Sequence, residues 1–192
     1  MVAAEGEGEA GASLVMRPES GRLPESVAQA APFERQTMAL PWARPAPAFV
    51  APLPPLGLPQ PTLEVIGEEA GLDGRRRLTV RVSSPRGAET VGLAFAAKVE
   101  PESIRVQGQA LAPPYLRGRS SADGVSLVTF DAAPSEGVVV ELTLPAQRAG
   151  AFVFDRSSGL PESAQAIVAS RPANLSPANG GDATVLYRRI TL

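Results

Sequence analysis

The sequence predicts an all-β fold, an immunoglobulin-like antiparallel β-sandwich of about 7–9 short strands preceded by a proline-rich N-terminal arm. Three observations carry this expectation. Apolar residues alternate with polar ones at period two in several short runs, the mark of strands with one buried face. Twenty prolines and 18 glycines suit a turn-rich β fold and not a helical bundle. No run of helical length has an amphipathic pattern. The 192 residues divide into 1–13, an acidic Gly/Ala tail expected to be disordered; 14–60, the arm; and 61–192, the sandwich.

In chain order, Leu14–Met16 is too short to decide between strand and coil, and Pro24 opens a possible helical turn, PESVAQAA. The segment PWARPAPAFVAPLPPLGLPQP (41–61) favours extended polyproline geometry. It is either a ligand for a proline-recognising partner or an ordered cover anchored by Trp42 and Phe49. Leu63 and Val65 open the first strand of the sandwich, ending near Gly67. Leu78, Val80 and Val82 alternate with Thr79, Arg81 and Ser83, and SPRGA turns the chain. Val91, Leu93 and Phe95 follow, then Ile104 and Val106, closed by Gly108. After the loop APPYLRGRSSADG (112–124) come strands at 125–130 and 137–144. Phe152 and Phe154 flank Val153 in the next strand. Pro161, Pro172, Pro177 and Gly180-Gly181 interrupt the crossing to a last strand containing Val185, Tyr187 and Ile190. A terminal strand is expected to pair inside a sheet, because its backbone groups need partners. The match between LPESVAQA (23–30) and LPESAQA (160–166) does not extend outward and reads as chance.

The chemistry is defined mainly by what is missing. There is no histidine, hence no imidazole base or zinc ligand, and no cysteine, hence no disulfide, thiol nucleophile or thiolate site. Eighteen Lys+Arg against 20 Asp+Glu give a net charge of −2, which does not favour nucleic acid. No run approaches the roughly 18 apolar residues that span a bilayer. MVAAEGEGEAGASLVM has glutamates where a signal peptide needs positive charge.

Ser83-Ser84, Ser120-Ser121 and Ser157-Ser158 lie outside any G-x-S-x-G elbow, and a Ser–Lys dyad would need Lys98 with Ser103 across Pro101. Glu64, Glu89 and Glu141 are scattered on turns and polar strand faces. Glu68, Glu69 and Asp73 lack the order of a dedicated calcium loop. Arg75-Arg76-Arg77 reads as a solvated strand edge, and Asn174-Leu175-Ser176 is a sequon followed by Pro177. Asp155-Arg156 and Asp182, at the two ends of the C-terminal crossing, either pair and pin it or simply face water. No cofactor or metal is expected.

DRSSGLP (155–161), Arg171-Pro172 and GDATVLYRRITL (181–192) resemble the end of membrane-embedded di-zinc exopeptidases, the group related to vacuolar membrane protease and the endoplasmic-reticulum metallopeptidase. LTVRVSSPRGAE (78–89), IRVQGQAL (104–111) and Pro41-Trp42 are similar to the same region, so the resemblance spans about residues 15–192. It implies a non-catalytic β-rich domain on the extracytoplasmic side, periplasmic in a bacterium, partnered by the peptidase and transmembrane domains of its parent. Nothing here matches the zinc-binding domain, so no catalytic or metal residue is transferred. The competing readings are a free-standing module for peptide or glycan, with Trp42 and Tyr115 as exposed aromatics, and a structural subunit of an assembly. Trp42, Tyr115, Asp155, Arg156, Arg171, Asp182 and Tyr187 are thus the candidate structural or interaction positions.

Overall fold

A computed structural model describes residues 1–71, 74–95, 101–111, 125–148, 150–177 and 181–192. Lys98 and Tyr115, with the loop 112–124, lie outside the described residues. The chain forms an all-β sandwich of two sheets. The smaller sheet has the order β5 (Thr62–Ala70), β6 (Arg75–Ser83), β11 (Val138–Pro145), β8 (Ser103–Val106), β9 (Gln109–Ala110). Gln107 and Gly108, both at positive φ, close the tight β8–β9 hairpin. Half of the larger sheet is β10 (Ser126–Asp131), β7 (Thr90–Phe95), β12 (Gly150–Ser158) and β13 (Ala183–Thr191). These nine strands are the sandwich expected over 61–192. Leu78, Val80 and Val82 face Val91, Leu93, Phe95 and Val153 in its core, with Ile104, Val140, Leu142 and Leu144.

The larger sheet does not stop at β13. It continues through β1 (Val2–Gly6), β2 (Ala12–Met16), β4 (Ala46–Leu53) and β3 (Glu34–Met38). Residues 1–13 are therefore ordered, and 14–60 are mostly sheet and not a separate arm. The pairing is also not wholly antiparallel, because β1 runs parallel to β13, Val2 opposite Ala183 and Gly6 opposite Tyr187. Low hydrophobicity misleads here for a steric reason. A Cβ on Gly6 would lie 2.8 Å from the Tyr187 ring, and one on Gly11 2.7 Å from the Leu53 carbonyl. Small residues are required where the backbones approach, so a Gly/Ala run imitates the composition of a disordered tail.

Strand β4 holds its prolines in register with its neighbours. Pro47 lies where only β3 pairs with it, and Pro52 where only β2 does. Only Phe49 and Val50 are flanked on both sides. Each proline therefore occupies a half-edge, where a missing N–H interrupts no second ladder.

Beyond the reach of the smaller sheet, α1 (Glu25–Ala30) and α2 (Gln165–Ala169) cover the inner face of this extension. Val27, Ala164 and Ile167 pack there on Ala3, Ala12, Leu14 and Leu53. The similar segments 23–30 and 160–166 thus adopt similar structure: each starts its helical turn after a proline, and both end in one core. The arginine run is not a free edge either. β6 pairs on both sides, Arg75 meets Glu102, and Arg76 meets Glu68.

Candidate functional site

The C-terminal motif places its polar residues on opposite faces of the larger sheet. Strand alternation turns Asp155 inward with Val153, and Phe154 and Arg156 outward. The β6–β7 turn folds back over the end of β12 and delivers Arg86 and Ser84 to Asp155, which is fully buried (0% exposed). Arg86 donates from Nη2 to Oδ1 at 2.6 Å and from Nε to both oxygens at 3.1 Å. Ser84 Oγ donates to Oδ2 at 2.6 Å and itself accepts from the Ala88 N–H. The remaining Arg86 donors reach Ser157 Oγ and the Thr184 carbonyl. This carboxylate is enclosed and satisfied, with neither an open face for a substrate nor a lone pair left to desolvate without a partner.

A second cluster sits where the crossing re-enters the sheet. Arg171 Nη2 donates to both oxygens of Asp182, at 2.8 and 2.6 Å, and the Met1 ammonium donates to Oδ1 at 2.7 Å. Burial pushes the Asp182 carboxyl up, but the hydrogen bonds from Met1 and Arg171 outweigh it and leave the group below the ordinary aspartate value. The two ends of the crossing take different partners: Asp155 pairs with Arg86, and Asp182 with Arg171. Arg156 instead faces outward, in register with Thr90 and Val185.

On the outer face, the 38–45 segment lays Trp42 over the sheet. Its ring stacks on Phe154 at a centroid distance of 4.2 Å and meets Tyr187 edge-on at 5.7 Å. Trp42 is 7% exposed and packs with Ala94, Val125 and Val185. It is an anchor of the ordered N-terminal segment and is not offered for sugar stacking. Tyr187 donates its hydroxyl proton to Glu9 Oε1 at 2.7 Å, tying down the β1–β2 connection. Burial, reinforced by that carboxylate, raises the phenol well above its ordinary range.

The other candidate groups are also engaged. Glu64 meets Arg81 and Glu141 meets Arg105 across strands of the smaller sheet. Glu89, held below its ordinary value by its own backbone N–H and that of Ser158, ties β7 to β12. Glu68 is taken by Arg76, while Asp73 lies outside the described residues. Among the described residues no group of three acidic side chains is arranged to hold a metal ion. No described helix is long and apolar enough to cross a membrane.

Sequence reasoning missed Arg86 and Ser84, reading SPRGA only as a turn. The available signal was an arginine in a turn between two buried strands, with an aspartate at an inward position of a third. Comparisons with protein-family models, curated proteins and solved structures find no match to this chain.

Proposed function

We propose that this chain is a non-catalytic accessory domain acting through its surface, the extracytoplasmic part of a membrane-bound zinc aminopeptidase-like protein, where it shields or positions the peptidase or docks a partner. The observation that carries this reading is the use made of the polar residues in the C-terminal motif. Asp155, Arg171, Asp182 and Tyr187 each bind another segment of the same chain. The resemblance of residues 155–161 and 181–192 supplies the parentage. Of the possible occupants of its surface, a protein is favoured over a glycan. Edge strand β5 exposes Val65 (48%) and Ile66 (41%), whereas Trp42 is buried.

Two measurements test this. Native polypeptide recovered from source cells with an antibody to this domain should be far larger than 19.9 kDa, with zinc-peptidase and membrane-spanning peptides in its digest. A native species of that mass without them would overturn the parentage. The full chain supplied with zinc and aminoacyl-arylamides should give no turnover above blank, and chelator-sensitive turnover would overturn the non-catalytic assignment.

A further inference from the structure

Between the β2–α1 connection and the segment after α2 lies a cleft of about 450 Å³, bordered by Met1 and Arg171 of the Asp182 cluster. Its volume falls in the range of small-molecule sites. Met16, Arg17 and Arg22 line it from the β2–α1 side, and Arg171, Leu175 and Pro177 from the segment after α2. Glu19 is the acid among its lining residues. Arg171 is turned to Asp182, but Arg17 donates only to the Met38 carbonyl. Among the described residues the Arg22 guanidinium meets no carboxylate. Two guanidinium groups without a carboxylate partner among the described residues therefore belong to one cleft lining, with Glu19 as its acid, in a chain whose net charge is −2. In the same lining Leu175 is 45% exposed, one of the few large apolar side chains among the described residues so open to solvent. Met16 and Arg17 leave β2, while Arg171 is held by Asp182 and the Leu175 N–H by the Pro172 carbonyl.

We propose that this cleft binds an apolar carboxylate: the acid is taken by the Arg17 and Arg22 guanidinium groups, and the apolar group lies on Met16, Leu175 and Pro177. Guanidinium forks match a carboxylate in two-point geometry, and an apolar wall adds affinity that a bare inorganic anion cannot collect. Two sources offer this chemistry, a free short-chain acid and the C-terminus of a peptide ending in an apolar residue. Failure of this site would leave the proposed parentage intact.

The test is an amide NMR titration of the full chain with octanoate, with acetyl-Ala-Ala-Leu, with the uncharged amide of each, and with inorganic phosphate. One or both acids should give saturable shifts at Met16, Arg17, Arg22 and Leu175, with the tighter acid identifying the source. The amides should not, and phosphate should bind more weakly than the better acid. Arg22→Ala, at an exposed position, should weaken that acid at least about tenfold without changing Tm. Leu175→Ser should weaken the acid and leave phosphate unchanged. No saturable shift with either acid, equal binding of the amides, phosphate as tight as the acids, or undiminished affinity in Arg22→Ala would each overturn the site.

Discussion

Arg86 and Asp155, 69 positions apart, form a fork-to-carboxylate pair on the inner face of the larger sheet, with Nη2 2.6 Å from Oδ1. The pair joins the β6–β7 turn to β12, and Thr184 adds β13 through its carbonyl. Removing Asp155 would leave a guanidinium enclosed without its counter-charge. Asp155→Ala should therefore cost about 3–5 kcal/mol, measured by urea unfolding. The Arg86→Ala, Asp155→Ala double variant should lose clearly less than the sum of the two. A single-variant loss below about 1 kcal/mol would mean that the pair behaves like an exposed one.

Gly92 faces Phe154 directly across β7 and β12. A Cβ there would lie 2.6 Å from Cε1 of the Phe154 ring and 2.8 Å from the Val128 carbonyl oxygen. The ring lies flat over the glycine and beneath Trp42, so Gly92→Ala pushes on a stack with no free side. It should cost about 1–3 kcal/mol and shift the Trp42 fluorescence to the red as the indole gains water. An unshifted spectrum with unchanged stability would contradict this packing.

In the 192-residue chain, with its free Met1 ammonium, the depressed Asp182 carboxyl sets an acid dependence. Its folded value lies below its unfolded one, so its contribution is full above the unfolded value and is lost as pH falls through the folded value, that is, below about pH 4. Asp182→Asn should lower Tm near neutrality, and the gap to the native chain should close as pH is taken down toward about 2.5. Parallel Tm curves over that range would exclude this linkage.

In β4, Val50 is flanked by Val15 on β2 and Glu34 on β3. Val50→Pro should unfold the extension, seen as loss of β1–β4 amide protection, because it removes a donor between two ladders. Pro47→Ala and Pro52→Ala should each change stability by no more than about 1 kcal/mol. Equal tolerance at all three positions would contradict the half-edge arrangement.

The strands of the sandwich were legible because their burial alternates: Leu78, Val80 and Val82 lie inside, as their spacing implies. The final strand was legible from the same period, and Tyr187 does pair with Phe154, as Ile190 does with Ala151. The N-terminal half of the larger sheet was not. Alanine, glycine and proline fill β1 and β4, where close approach and half-edges leave no periodic trace, and β3 (ERQTM) is polar along most of its length. The polar site was half legible. Asp155, Arg171, Asp182 and Tyr187 stood out, but Arg86 and Glu9 are brought to them by long-range topology. Proximity across 69 or 178 positions has no local signature.

The central claim is that residues 1–60 are part of the sheet and that these polar and aromatic contacts fasten them to it. Native-state hydrogen exchange of the full chain tests it most directly. The ladder amides shared by β1 and β13 should open with nearly the same free energy as those between β12 and β13. Exchange across β1–β13 that is orders of magnitude faster, with β12–β13 still protected, would show the N-terminal strands to be a loose attachment and would contradict it.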